Sequence, residues 1–163
     1  MEVVVVAARS GTADEGRGAT RAVDLLQVEA VRSRAVDASE VMAAYAAAWE
    51  DGDTERAWSW YADDVVMHLP GRGSLAGDHR GRTAVIEAIQ KLLARTGDLS
   101  VEVEVLDRLA SGDRVAMVLR ESVERDDASL EFRRVNVYRV QDSKIIDIDI
   151  YEAQQYEVDE FFG

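Results

Sequence analysis

The sequence has no cysteine, which excludes disulfides and every metal site built on thiolates. Basic residues are scarce against acidic ones, 19 to 32, and the formal net charge is −13. Such a balance leaves no basic footprint for nucleic acid, and an anionic membrane surface would repel the chain. Long apolar runs are also missing. The run from Val3 to Ala8 is too short to span a bilayer. It also lacks the basic flank of a signal peptide, so the expected location is the cytoplasm. There are two histidines in the whole chain, and no ligand spacing around His79 and Asp78, so the expectation is that no metal is bound. The glycines between Gly71 and Gly81 match no phosphate-binding loop, because no lysine stands among them. What is present is ample apolar material: 47 % of 163 residues, enough for one domain with a usable core.

Residues 1–37 read as an N-terminal extension and residues 38–163 as the domain. Arg9 to Gly18 is polar and glycine-rich, hence expected to be flexible, and Ala22 to Val36 carries weak helical periodicity. Asp37-Ala38-Ser39-Glu40 fits a helix-capping box. Val41, Tyr45, Ala48 and Trp49 then share one helical face, and Gly52 ends the helix. Asp53 is placed to cap a second helix, with Ala57, Trp60 and Tyr61 on its face. Val65 to Leu69 is a short β-rich run stopped by Pro70-Gly71, the only proline in the chain. A third helix is predicted to open at Thr83, with Ile86, Ile89 and Leu93 as its stripe and Gly97 as its stop.

The remainder alternates apolar and polar residues, the period of a strand with two unlike faces. Val101, Val103 and Val105 alternate with glutamates. Val115, Met117 and Leu119 form one face of the next segment, and Leu130, Phe132, Arg134, Asn136 and Tyr138 one face of the third. Gln141-Asp142-Ser143-Lys144 is a tight turn into the last strand, Lys144 to Glu152. There Ile146, Ile148 and Ile150 are predicted to point inward, Asp147, Asp149 and Tyr151 outward, with Glu152 at the rim. Gln154 to Phe161 is expected to form a closing helix. Helices first and an antiparallel meander last imply an α+β fold, one sheet curled around a pocket.

Three stretches, Tyr45 to Asp53, Tyr61 to Gly71 and Gly77 to Arg82, together with the hairpin Val137 to Asp147, make the chain similar to the nuclear transport factor 2-like superfamily. That superfamily includes ketosteroid isomerases, SnoaL-like polyketide cyclases and limonene epoxide hydrolases. The resemblance implies a cone-shaped, curved antiparallel sheet wrapped around N-terminal helices, with an internal pocket. It also implies roles for single residues. The oxyanion-hole tyrosine of the isomerase pattern falls on Tyr45 and its partner acid on Asn136, whose amide can still donate a hydrogen bond. The isomerase base falls on Leu69, and the base of the SnoaL-like and epoxide-hydrolase patterns near Ile150. Neither accepts a proton.

His68 is then a candidate substitute base, since histidine titrates near neutrality, although strand alternation aims it away from Leu69. Glu152 is the other. The expected catalytic set is Tyr45, Asn136 and His68. The expected substrate-binding set is Trp49, Trp60, Leu69, Met117, Tyr138, Ile148, Ile150 and Glu152, a mostly apolar pocket that needs no cofactor. The implied activity is binding of a small hydrophobic molecule, with isomerase or cyclase chemistry on a carbonyl compound. The alternative is a non-catalytic ligand-binding or dimerisation module that has lost the family's base. A homodimer through the open sheet face is expected, with Arg120, Arg133 and Arg139 meeting Asp147 and Asp149.

Overall fold

The computed structural model describes residues 4–6, 37–95, 101–125 and 128–162. Helix α1, Ala38–Glu50, begins where Asp37 Oδ1 accepts from the Ser39 amide at 3.1 Å. Such a cap is worth about 1 kcal/mol. Ala38, Val41, Met42, Tyr45 and Ala46 are buried on it, the three-and-four spacing of a single stripe. The helix stops at Gly52, whose φ of 69° suits a residue without Cβ. Asp53 caps α2, Thr54–Ser59, by accepting from the Arg56 amide at 3.0 Å. Trp60 is the C-cap of this helix and Tyr61 already opens strand β2, Tyr61–Leu69. The strand is longer than the β-rich run Val65 to Leu69: Tyr61 pairs Ile145 and Val66 pairs Asp147 of the last strand, and Ala62-Asp63-Asp64 fall in the irregular stretch between those two anchors.

Strand β3, Gly77–Arg80, lies in what reads as a glycine loop. It is held by its antiparallel register with β2, Val66 opposite Arg80 and Leu69 opposite Gly77. Helix α3 is Arg82–Arg95; its predicted stop at Gly97 lies outside the described residues. Four long strands follow: β4 (Val101–Ser111), β5 (Arg114–Arg125), β6 (Ala128–Gln141) and β7 (Lys144–Glu152), closed by α4, Gln155–Phe162. All three neighbouring pairs from β4 to β7 are antiparallel. The turn into β7 puts Asp142 and Ser143 at φ 49° and 61°, the left-handed pair that a two-residue hairpin turn requires.

With Val4–Val6 as β1, the described strands form one sheet in the order β1-β4-β5-β6-β7-β2-β3. Two joints are parallel, β2 with β7 and β1 with β4. Part of the N-terminal extension is therefore a strand on the sheet edge. The helix expected over Ala22 to Val36 and the loop Arg9 to Gly18 lie outside the described residues. The result is an α+β cone, its curved sheet packed on α1 and α3. The main core gathers α1, the inner faces of β2, β5, β6 and β7, and Val85 and Ala88 of α3. A smaller cluster of Val101, Val123, Phe132 and Val158 seals the end beneath α4. No described helix is long and apolar enough to cross a membrane.

Candidate active site in an apolar cavity

The register of the meander decides what faces the concave side. Val115 pairs Tyr138, which pairs Ile148. Met117 pairs Asn136, which pairs Ile150. Leu119 pairs Arg134, which pairs Glu152. Paired residues share a sheet face, so these three rows stand together inside the cone. Between them, α1 and α3 leaves a cavity of about 250 Å³. Tyr45, Trp49, Leu69, Met117, Tyr138, Ile148 and Ile150 line it, together with Tyr61 and Met67. Pro70 to Ala76 and α4 close one end through Pro70, Leu75, Gln155, Val158 and Phe162.

Tyr45 and Asn136 both reach this cavity, but the Tyr45 hydroxyl and the Asn136 amide nitrogen already have protein partners. Tyr45 Oη lies 2.8 Å from Tyr61 Oη, and Asn136 Nδ2 donates to Tyr138 Oη at 3.2 Å. The Tyr45 and Tyr138 rings are 5.7 Å apart. Burial, reinforced by neighbouring hydroxyls, holds all three phenols above their ordinary range: Tyr45 and Tyr138 well above it, and Tyr61 as well.

At the polar end Glu152, an expected site residue, stands with two that were absent from the expected site, Arg134 and Glu121. Arg134 Nη2 donates to Glu152 Oε1 at 2.5 Å, and Arg134 Nη1 lies 3.3 Å from Glu121 Oε1. The side chains of Arg134, Glu121 and Glu152 are 14 %, 11 % and 2 % exposed. Burial alone would lower the guanidinium, but the two glutamates more than reverse it and hold Arg134 above its usual value. Burial raises the Glu152 carboxyl, against the pull of Arg134. Asn136 Oδ1, Glu152 Oε2 and Arg134 Nε are buried without a hydrogen-bond partner among the described residues. The signal for Arg134 was the face it shares with Asn136. For Glu121 it was the same parity as Met117 and Leu119, carried one step further.

His68 and Trp60 are corrections to the expected site. Met67 and Leu69 line the cavity and His68 does not, because side chains alternate along β2. His68 instead faces an outer groove, with Nδ1 2.7 Å from Asp78 Oδ1 and Nε2 3.8 Å from Asp147 Oδ1. The imidazole pulls the Asp78 carboxyl below its usual value. Ligand atoms of His68, Asp147 and Asp149 lie within 4.8 Å of one another, but Arg139 stands 3.5 Å from Asp147 and Arg80 2.6 Å from Asp78. This is a solvated network of opposite charges. Trp60 packs against the core from the end of α2, and its carbonyl accepts from the Ile145 amide at 2.8 Å. It is not part of the cavity wall. Ile146 is displaced as well: a register shift after Arg139 buries Ile145 fully and leaves Ile146 half-buried.

Comparison with known proteins agrees with this architecture. The model of the SnoaL-like domain matches residues 42–148. Bal32a, from a soil-derived mobile gene cassette, is 28 % identical with a TM-score of 0.71, covering 77 % of this chain and 96 % of that one. A Xanthomonas campestris protein of unknown function and cystatin-like fold is 27 % identical, with a TM-score of 0.70 over 78 % and 99 % of the two chains. A nuclear transport factor 2-like protein of Burkholderia xenovorans is 25 % identical, with a TM-score of 0.59 over 75 % and 94 %. No curated protein matches the sequence. The chain belongs to the SnoaL-like family, within the nuclear transport factor 2-like superfamily.

Proposed function

We propose that the protein binds a small hydrophobic carbonyl compound in the cone and enolises it, as an isomerase or cyclase would. The observation that carries this reading is Glu152: a buried carboxylate with one oxygen unpartnered, lining a mostly apolar cavity. Desolvation raises its basicity, which suits a group that takes a proton from carbon. In the proposed step Glu152 Oε2 removes the proton next to the carbonyl, the carbon–hydrogen pair moves into a new carbon–carbon double bond, and negative charge gathers on the carbonyl oxygen. Arg134 Nε, a buried donor without a hydrogen-bond partner among the described residues, is the group proposed to meet that oxygen. Return of the proton to another carbon completes an isomerisation; attack of the enolate on a second carbonyl completes a cyclisation. Glu152 takes over here from the family positions occupied by Leu69 and Ile150. Tyr45, bonded to Tyr61, and Asn136, bonded to Tyr138, shape the pocket in this reading, and His68 has no part in the step.

The second reading is a binding module without turnover, favoured by the aliphatic residues at both usual base positions. A homodimer through the outer sheet face belongs to both readings. One experiment separates them: β-tetralone, an enolisable apolar ketone, in deuterated buffer. Binding with exchange of its α-protons, abolished in Glu152→Gln, supports the enzyme. Because Glu152 is raised, exchange is expected to fade, as pH drops, earlier than with an ordinary carboxylate base. Binding without exchange supports the module, and absence of binding removes both.

A further inference from the structure

We infer that the ligand of this cavity carries a hydroxyl donor as well as its carbonyl, and that Asn136 Oδ1 is the atom that selects it; the inference rests on the cavity being the binding site. Asn136 is 8 % exposed. Its Nδ2 spends one of its two hydrogens on Tyr138, 3.2 Å away, which leaves the amide oxygen as the acceptor to account for. That oxygen is buried and has no partner among the described residues. A buried acceptor left empty is costly, and one that is filled only when ligand is bound discriminates between ligands.

The neighbouring charges favour the same chemistry. Glu121 and Glu152 set two carboxylates against the one guanidinium of Arg134, so the polar end carries a surplus of negative charge. It would repel an anionic ligand and accept a neutral hydroxyl. Asn136 stands opposite Ile150 and Arg134 opposite Glu152, which makes Asn136 and Glu152 diagonal neighbours on one face. Such neighbours are roughly 7–8 Å apart. The hydroxyl therefore sits about one ring away from the carbon that faces Glu152. The ligand class is a hydroxylated cyclic ketone, phenolic or alicyclic.

The test uses β-tetralone bearing a phenolic hydroxyl across its aromatic ring from the reacting carbon, and the methyl ether of the same compound. Both keep the enolisable ketone, and only the first can donate. Titration calorimetry on the wild-type protein is expected to give a preference for the phenol of roughly ten-fold. Asn136→Val, which removes the acceptor, is expected to abolish that preference, and Asn136→Asp, which keeps one, to retain it. Equal affinity for the two compounds in the wild type overturns the inference, as does a preference that survives in Asn136→Val. In either case binding of the ether with α-proton exchange would leave the enolising cavity standing. Failure of both compounds to bind removes the cavity reading along with this one.

Discussion

Tyr45 occupies the position of an oxyanion donor, but its hydroxyl is 2.8 Å from that of Tyr61. That bond makes its first role structural. Tyr45→Phe is expected to lower stability by about 1 kcal/mol, seen in urea unfolding, while tetralone affinity changes little. A loss of affinity with no loss of stability would return the residue to the oxyanion role. The three buried phenols also set an alkaline limit. Tyr45 and Tyr138 are held well above the ordinary value of 10.0, first by burial, so above that pH the folded state keeps protons that the unfolded state gives up. Stability must therefore fall as pH rises beyond about 10. The buried tyrosines are expected to ionise together with the loss of helical circular dichroism, in one cooperative step. A phenolate signal from three residues appearing while the fold persists would contradict this.

Elements are held by a few contacts far apart in sequence, and α4 shows it best. Its Asp159 Oδ1 accepts from the Arg72 amide at 3.1 Å and from Gln155 Nε2 at 3.0 Å. Arg95, at the end of α3, donates to the Phe162 carbonyl at 2.8 Å. Gly71 allows this docking. Its φ is +105°, and a Cβ there would run into the carboxylate of Asp159 and the amide of Gln155. Gly71→Ala is expected to cost about 1–3 kcal/mol and to loosen α4, which closes one end of the cavity. Faster amide exchange confined to α4 and weaker tetralone binding are the readouts; unchanged protection in α4 would show that the loop absorbs the added methyl.

For the whole molecule the open question of chemistry lies on the outer face of the sheet. Val118 pairs Val135, which pairs Tyr151, and Ala116 pairs Val137. Tyr151 is 58 % exposed. This apolar patch is flanked by ion pairs within the chain, Arg120 with Glu104 at 2.9 Å and Arg139 with Asp147 at 3.5 Å. Arg120 and Arg139, two of the three arginines expected to cross a dimer interface, thus have partners at home, and apolar contact would be the adhesive. Light scattering is expected to give twice the 18.0 kDa chain mass, and Val135→Lys with Tyr151→Lys to halve it. A wild-type monomer at high concentration would end the dimer proposal.

The sequence by itself determined the strand and helix periods, the caps at Asp37 and Asp53 and the hairpin at Asp142-Ser143, because each depends on neighbours within a few residues. It also determined which face of β5, β6 and β7 is apolar, since parity along a strand is local. Only the tertiary structure decided that β2 begins at Tyr61, through its pairing with Ile145, that Gly77 to Arg80 becomes strand, that Val4–Val6 joins the edge through β4, and that a shift after Arg139 buries Ile145 in place of Ile146. Hydrogen bonding between distant segments overrides local preference at those places. It also decided the polar end of the cavity. Glu152 is legible in the sequence as a rim residue, but Glu121 and Arg134 are ordinary charged residues there, and only strand register brings the three out of water onto one another. Charges become a site when burial forces them to pair, and burial is a property of the fold.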